Sequence, residues 1–188
     1  RIDFVADLAA NWAALSTTAA NDRKVGLILA NYPNKNGRLG NGVGLDTPAG
    51  TIEVLKELAR NNYNVGTIPA TGNDLVQSLL EGPTNDRSEG KMRLSDHQLS
   101  LADYKTAFAQ LPEQIRTQIT DRWGAPEKDP FICGDSFHLA IQQLGHIYVG
   151  IQPSSGYNID PVSSQHHPDP VHPHRPSSPN TYRPRPRD

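Results

Sequence analysis

The sequence predicts an α/β fold of parallel-sheet βα units with flanking helices over residues 1–161, followed by a disordered C-terminal tail over residues 162–188. Three observations carry that reading. Two short, nearly continuous apolar runs, Lys24–Ala30 and His146–Ile151, read as strands, the first of them of the kind covered on both faces. Helical periodicity fills much of the sequence between them, and a strand–loop–helix–strand order favours parallel βα units. The last 27 residues hold 7 Pro, 4 His and 4 Arg, and such a stretch cannot bury enough apolar surface to offset its ordering entropy.

The elements follow in order. Ile2–Ala20 has no Gly or Pro, and Phe4, Val5, Leu8, Trp12 and Leu15 recur at helical spacing. Asn21-Asp22-Arg23 ends that helix ahead of the first strand. A loop rich in Gly and Asn then runs from Asn31 to Pro48, where Thr47-Pro48 reads as N-cap and first helical position. Ile52, Leu55, Leu58 and Ala59 form the buried stripe of the next helix, which Asn61-Asn62 ends. Tyr63–Gly66 reads as the start of a second strand and Asp74–Leu80 as a short helix. Residues 82–98 are polar and read as a surface excursion. Ser100 and Asp103 suggest a capping-box variant opening a helix to Gln110, and Ile115, Ile119 and Trp123 share one face of a helix from Pro112.

Composition excludes several classes. The net charge is -2, without the basic footprint of a nucleic-acid binder; Arg175, Arg183, Arg185 and Arg187 cluster only in the Pro-rich tail. One cysteine, Cys133, forms no intrachain disulfide, and its place after Pro130-Phe131-Ile132 suggests a small buried residue. No apolar run approaches the roughly 20 residues of a membrane span. A cytoplasmic protein is expected, and the missing initiator Met suggests a fragment.

In open parallel sheets ligands sit at the carboxyl ends of strands. Asn31–Pro48 and Gln152–Pro161 both leave such ends, so one cleft would hold both if the strands share a sheet. The glycines of the first loop do not make a nucleotide site: Gly40-Asn41-Gly42-Val43-Gly44 lacks the G-x-G-x-x-G spacing, and no G-K-[ST] supplies a phosphate-gripping lysine. They suit close backbone approach to a large flat or anionic ligand. Asp46 reads either as a group pointing into that cleft or as a partner for the first-turn amides of the helix, with the structural role favoured. His97, His138 and His146 are scattered and read as ordinary surface or packed residues. The run His166-His167-Pro168-Asp169-Pro170-Val171-His172-Pro173-His174 is dense enough to bind a divalent ion weakly, but offers few groups to orient the rings.

Longer motifs carry a resemblance. Ala30-Asn31-Tyr32-Pro33, Gly37-Arg38-Leu39, and Asn41-Gly42-Val43-Gly44-Leu45-Asp46-Thr47-Pro48-Ala49 are followed by Leu111-Pro112 and Trp123-Gly124-Ala125-Pro126-Glu127. Gly150-Ile151-Gln152-Pro153 and Gly156-Tyr157-Asn158-Ile159-Asp160-Pro161 come last. In this order they resemble the large (CobN-type) subunit of ATP-dependent cobaltochelatase, in the CobN/magnesium chelatase H-type family, over about residues 24–161. The magnesium branch typically lacks the Asn41–Pro48 run, so cobalt is the expected metal. The resemblance implies a tetrapyrrole-binding subunit much longer than this chain, with hydrogenobyrinic acid a,c-diamide as its corrin substrate and cobalamin as the pathway's product. It implies an AAA+ ATPase partner and a companion subunit, which use ATP and Mg; neither is bound here, and the cobalt ion is substrate. Neither nucleic acid nor membrane is an expected partner.

On that reading Asn31, Asn41, Gly42, Asp46, Gln152, Gly156 and Tyr157 are the expected substrate-binding residues. His166 and His174 are the family-matched metal ligands. No residue is assigned a catalytic role, and the chain alone is expected to be inactive. Ser155 stands where the family usually carries Arg, and Gly50 where it usually carries Ser. After His174 the family's aromatic continuation gives way to Arg175-Pro176-Ser177-Ser178-Pro179, which suggests a frameshift or truncation. The family's downstream His-Gly and Glu-Trp-Leu-Pro-Gly segment does not occur. Two alternatives stay open: a magnesium chelatase H-type subunit, and a non-enzymatic corrinoid or metal-binding module using the same cleft. A gene product without function is the remaining one.

Overall fold

The computed structural model describes residues 2–31, 35–86, 93–129 and 131–153. It holds five helices: α1 (Ile2–Thr17), α2 (Thr47–Arg60), α3 (Gly72–Glu81), α4 (Leu101–Ala109) and α5 (Glu113–Trp123). Its strands are β1 (Val25–Leu29), β2 (Asn41–Gly42), β3 (Leu45–Asp46), β4 (Gln98–Ser100), β5 (Ile132–Cys133), β6 (Ser136–His138), β7 (Ile141–Leu144) and β8 (Ile147–Ile151).

The α/β class stands. β1 and β8 pair in parallel, from Val25 opposite Ile147 to Leu29 opposite Ile151. β7 adds to the far side of β8 as an antiparallel hairpin strand, giving the order β1-β8-β7. A second sheet, β4-β6-β5, is antiparallel throughout. The core of the first sheet is Leu29, Ile147, Val149 and Ile151 on one face, met by Ile52 and Leu55 of α2 and Leu75 and Leu79 of α3. A smaller cluster of Tyr104, Phe137 and Leu139 sits on the second sheet, with the Tyr104 ring edge-on to Phe137 at 5.1 Å.

Helix ends follow local chemistry. The α2 cap lies one residue earlier than the sequence suggests: Asp46 Oδ1 accepts from the Ala49 amide at 3.0 Å, and Pro48 fills the first turn. Thr71 and Asp74 close a reciprocal capping box on α3. Ser100 caps α4 by accepting from the Asp103 amide at 3.0 Å, as expected. Lys56 and Arg60 hydrogen-bond Glu53 and Glu57 on the outer face of α2, which holds both carboxyls below their ordinary range.

Four expectations are corrected. β1 is not covered on both faces: Gly26 and Ile28 face solvent while Leu29 faces the core. Tyr63–Gly66 joins no sheet: the Val65 amide turns back to the Tyr63 carbonyl at 3.0 Å, and Gly66 crosses Gly145 so closely that a Cβ would lie 2.8 Å from the Gly145 nitrogen. Cys133 is exposed, because it ends β5 at a two-residue turn whose Gly134 takes a φ of 65°. The α1 stripe is present but buries nothing. Among the described residues no helix is long and apolar enough to cross a membrane. The tail over 162–188 lies outside the described residues.

Two glycines predict opposite responses to one substitution. Gly50 is exposed in α2 with open space around its Cβ position, so Gly50→Ala should stabilise the chain by about 1 kcal/mol through helix propensity. At Gly72 a Cβ would lie 2.7 Å from the Ala49 nitrogen and 2.8 Å from the Pro48 carbonyl carbon. Gly72→Ala must therefore push the starts of α2 and α3 apart, at a cost of about 1–3 kcal/mol. Urea unfolding midpoints of the two variants should move in opposite directions.

A candidate binding edge at the strand ends

Because β1 and β8 run parallel, their carboxyl ends open on the same edge of the sheet, and the backbone ties them together there. The Gln152 amide donates to the Leu29 carbonyl at 2.8 Å, continuing the ladder past β8. On the β1 side, the Gly40 amide donates to the Ala30 carbonyl at 2.7 Å, and Asn31 bridges Leu39 in antiparallel fashion. The chain thus leaves β1, makes a short 3₁₀ turn at Asn36–Arg38, and returns alongside itself before forming the β2–β3 hairpin.

Glycine makes the return possible. Gly40 has a φ of 69°, a left-handed conformation that side chains disfavour, and a Cβ there would press on Pro48 Cγ at 3.2 Å. The hairpin pairs Asn41 with Asp46 and Gly42 with Leu45, so its second arm leads directly into the α2 cap and its first lies beside it. Gly42 is held close to the helix start, where a Cβ would meet Thr47 Oγ1 at 3.0 Å. Val43 and Leu45 stand exposed at the hairpin tip.

The expected residues divide accordingly. Asn31, Asn41, Gly42, Asp46 and Gln152 lie on the two chain segments that leave this edge. Asp46 accepts from the first-turn amide of α2, as the favoured reading had it. Gly156, Tyr157, His166 and His174 lie outside the described residues. His138 Nδ1 lies within 3.0 Å of the Ser95 backbone, and His146 Nδ1 lies 2.8 Å from the Asn21 carbonyl, so both are packed residues. His97 meets Tyr148 edge-on, with ring centroids 6.1 Å apart. Among the described residues no group of three His, Cys, Asp or Glu is placed to hold a metal ion.

Two residues of the site escaped sequence reasoning. Asn85 is 5% exposed and donates from Nδ2 to the Gln152 carbonyl at 2.7 Å. The adjacent Asp86 Oδ2 accepts from the Asn36 amide at 3.2 Å. One dipeptide in the supposed surface excursion therefore clamps the β8 exit with one side chain and the β1 loop with the next. Beyond Asn85 a small, mostly apolar pocket opens between Phe131, His138, Ile141, Ile151 and Pro153.

Asn31 is the anomaly of the edge. It is 4% exposed, and its Oδ1 has no hydrogen-bond partner among the described residues. A buried acceptor left without a donor costs about 1–3 kcal/mol.

The family model described as CobN/Magnesium Chelatase matches residues 1–176 of this chain. The chain belongs to that family. It is 51% identical to the aerobic cobaltochelatase subunit CobN of a Sinorhizobium species and 44% identical to that of Pseudomonas aeruginosa, in each case over 93% of this chain and 14% of the relative. Identity to the H-type magnesium-chelatase subunit of Chlorobaculum parvum is 28%, over 86% of this chain and 12% of that protein. Among solved structures, the catalytic subunit of cobaltochelatase from Mycobacterium tuberculosis matches with a TM-score of 0.71 and 30% identity, over 89% of this chain and 14% of that one. This CobN/magnesium chelatase chain thus spans 14% of the length of the cobaltochelatase relatives it matches.

The cap and binding roles of Asp46 make different predictions. If the carboxylate only caps α2, Asp46→Asn should leave stability nearly unchanged, since Asn caps as well as Asp, whereas Asp46→Ala should cost about 0.5–2 kcal/mol. Thermal melts followed by circular dichroism separate the two.

Proposed function

We propose that this chain supplies part of the tetrapyrrole-binding surface of a cobaltochelatase large subunit. The parent subunit would insert cobalt into hydrogenobyrinic acid a,c-diamide in cobalamin biosynthesis, with ATP hydrolysed by an AAA+ partner and its companion subunit. The chain's own part is binding, not motor chemistry, in keeping with its lack of a phosphate-gripping lysine motif.

The observation that carries the proposal is the buried Oδ1 of Asn31, which has no donor among the described residues, at the edge shared by β1 and β8. An acceptor held there at a cost is suited to a donor that arrives with a ligand. The peripheral carboxamides of a corrin diamide provide N–H donors of that kind. Asn41, Gly42, Gln152, Gly156 and Tyr157 would line the same rim. Insertion also requires ring nitrogens to lose protons and the ion to lose water, which a base and transient ligands would assist. His166 and His174 are proposed for the ligand role. Cobalt is favoured over magnesium by the higher identity to the cobaltochelatase subunits, 51% and 44% against 28%.

Asn31→Leu tests the proposal, because leucine nearly matches asparagine in shape but offers no acceptor. The substituted chain should be more stable than the original by about 1–3 kcal/mol, since an orphaned group has been removed. A large subunit carrying the same change should bind hydrogenobyrinic acid a,c-diamide at least ~10-fold more weakly, followed by quenching of protein fluorescence. A variant that is stabilised yet binds the diamide as tightly as before would sink the assignment.

A further inference from the structure

Four hydrogen bonds close a circuit at the binding edge. Asn85 Nδ2 donates to the Gln152 carbonyl at 2.7 Å, and the Gln152 amide donates to the Leu29 carbonyl at 2.8 Å. One residue on, the Ala30 carbonyl accepts from the Gly40 amide at 2.7 Å. The 3₁₀ turn leads from Gly40 back to Asn36, whose amide donates to Asp86 Oδ2 at 3.2 Å. Asp86 is the chain neighbour of Asn85, so the circuit ends where it began. Asn31 hangs from it, directly after Ala30 and bridged to Leu39.

Two of these four links are backbone to backbone and belong to the sheet and the return of its loop. The other two come from the side chains of one dipeptide. They span 67 and 50 residues of sequence, too far for either to be local turn chemistry. Thr84 Oγ1 accepts from the Asp86 amide at 3.3 Å, a local turn that steadies the dipeptide itself. Asn85 is buried, and burying a carboxamide costs more than burying an aliphatic side chain of similar size. What a satisfied buried polar group adds is one fixed geometry, because alternatives leave it unpaired.

We propose that Asn85 and Asp86 are positioning residues for the binding edge. They set the separation of the Asn31 and Gln152 exits, and with it the fit of the corrin diamide's rim, without touching the ligand. This rests on the binding role proposed above for that edge. Asn31 and Gln152 lie past the ends of β1 and β8, where the ladder that fixes strand spacing is running out. Binding groups need to be held to within about 0.5 Å by the residues behind them. Asn85 ties down one exit and Asp86 the other, so their separation follows from the fixed length of a single dipeptide.

The test measures the Kd of the full-length large subunit for hydrogenobyrinic acid a,c-diamide by fluorescence quenching, with and without Asn31→Leu. Asn85→Leu and Asp86→Ala should each weaken binding at least ~10-fold in the original background, but less than ~3-fold once Asn31→Leu has removed the acceptor they position. Asp86→Asn keeps an acceptor oxygen and should bind within ~3-fold of the original. A merely structural role would lower the melting temperature and the fraction of subunit that binds, and leave the Kd of that fraction alone; that result overturns the proposal. So does equal weakening in both backgrounds. If Asn31→Leu weakens binding and neither Asn85→Leu nor Asp86→Ala does, the positioning role falls and the binding role of the edge stands. If Asn31→Leu has no effect, both fall. Hydrogen exchange reads the circuit without ligand: Asn85→Leu should speed exchange of the Asn36 amide at least ~10-fold, although that amide bonds to Asp86. Unchanged exchange there means that the two links act separately, and would equally overturn the proposal.

Discussion

The parallel pairing of β1 with β8 is the constraint on which the rest depends. It joins residues from opposite ends of the described sequence, and everything from Ala30 to His146 lies in the connection between them. The entropic cost of closing so long a connection rises only slowly with its length. Burial of Leu29, Ile147, Val149 and Ile151 against α2 and α3 opposes that cost. Direction matters as much as proximity. An antiparallel pairing would have sent the two exits to opposite ends of the sheet. The parallel one puts Asn31 and Gln152 on the same edge, where Asn85 and Asp86 tie the two exits to one segment.

What the sequence revealed depended on whether an element carried its own signal. α2, α4 and α5 announce themselves by apolar spacing, caps and stops, and the structure places them within a few residues of the expected bounds. β1 and β8 are apolar runs long enough to stand out. β4 to β7 have two to four residues each, too few for alternation to show, and two of their turns depend on single glycines, Gly134 and Gly145. Tyr63–Gly66 misled because strand-like composition does not secure a partner. The partner position near Gly145 holds another turn, and the two backbones cross at a pair of glycines.

The candidate edge was legible where a general rule applied. Strand carboxyl ends in a parallel sheet point to Asn31 and Gln152 with no knowledge of contacts. Asp46 stood out by its place before Pro48, and its cap is what the residue type does best. Asn85 and Asp86 had no such rule to reveal them. Buried polar residues that bridge distant loops have no periodicity, and within a polar stretch they look like any exposed Asn or Asp. Only the pairing of Asn85 with the Gln152 carbonyl distinguishes them.

The chemistry of the edge also limits what it can recognise. Its carboxylates are already engaged, Asp46 with the Ala49 amide and Asp86 with the Asn36 amide. Its buried side chains at the strand exits are carboxamides, Asn31 and Asn85. Burying a carboxamide without a partner costs a few kcal/mol at most in proteins, whereas burying an uncompensated charge costs far more. An edge built this way can hold a buried acceptor such as Asn31 Oδ1, which has no partner among the described residues, at a tolerable cost. A lysine or glutamate in that position would be forced toward its neutral form instead. The buried polar groups of this edge therefore suit neutral donors and acceptors better than charged ones.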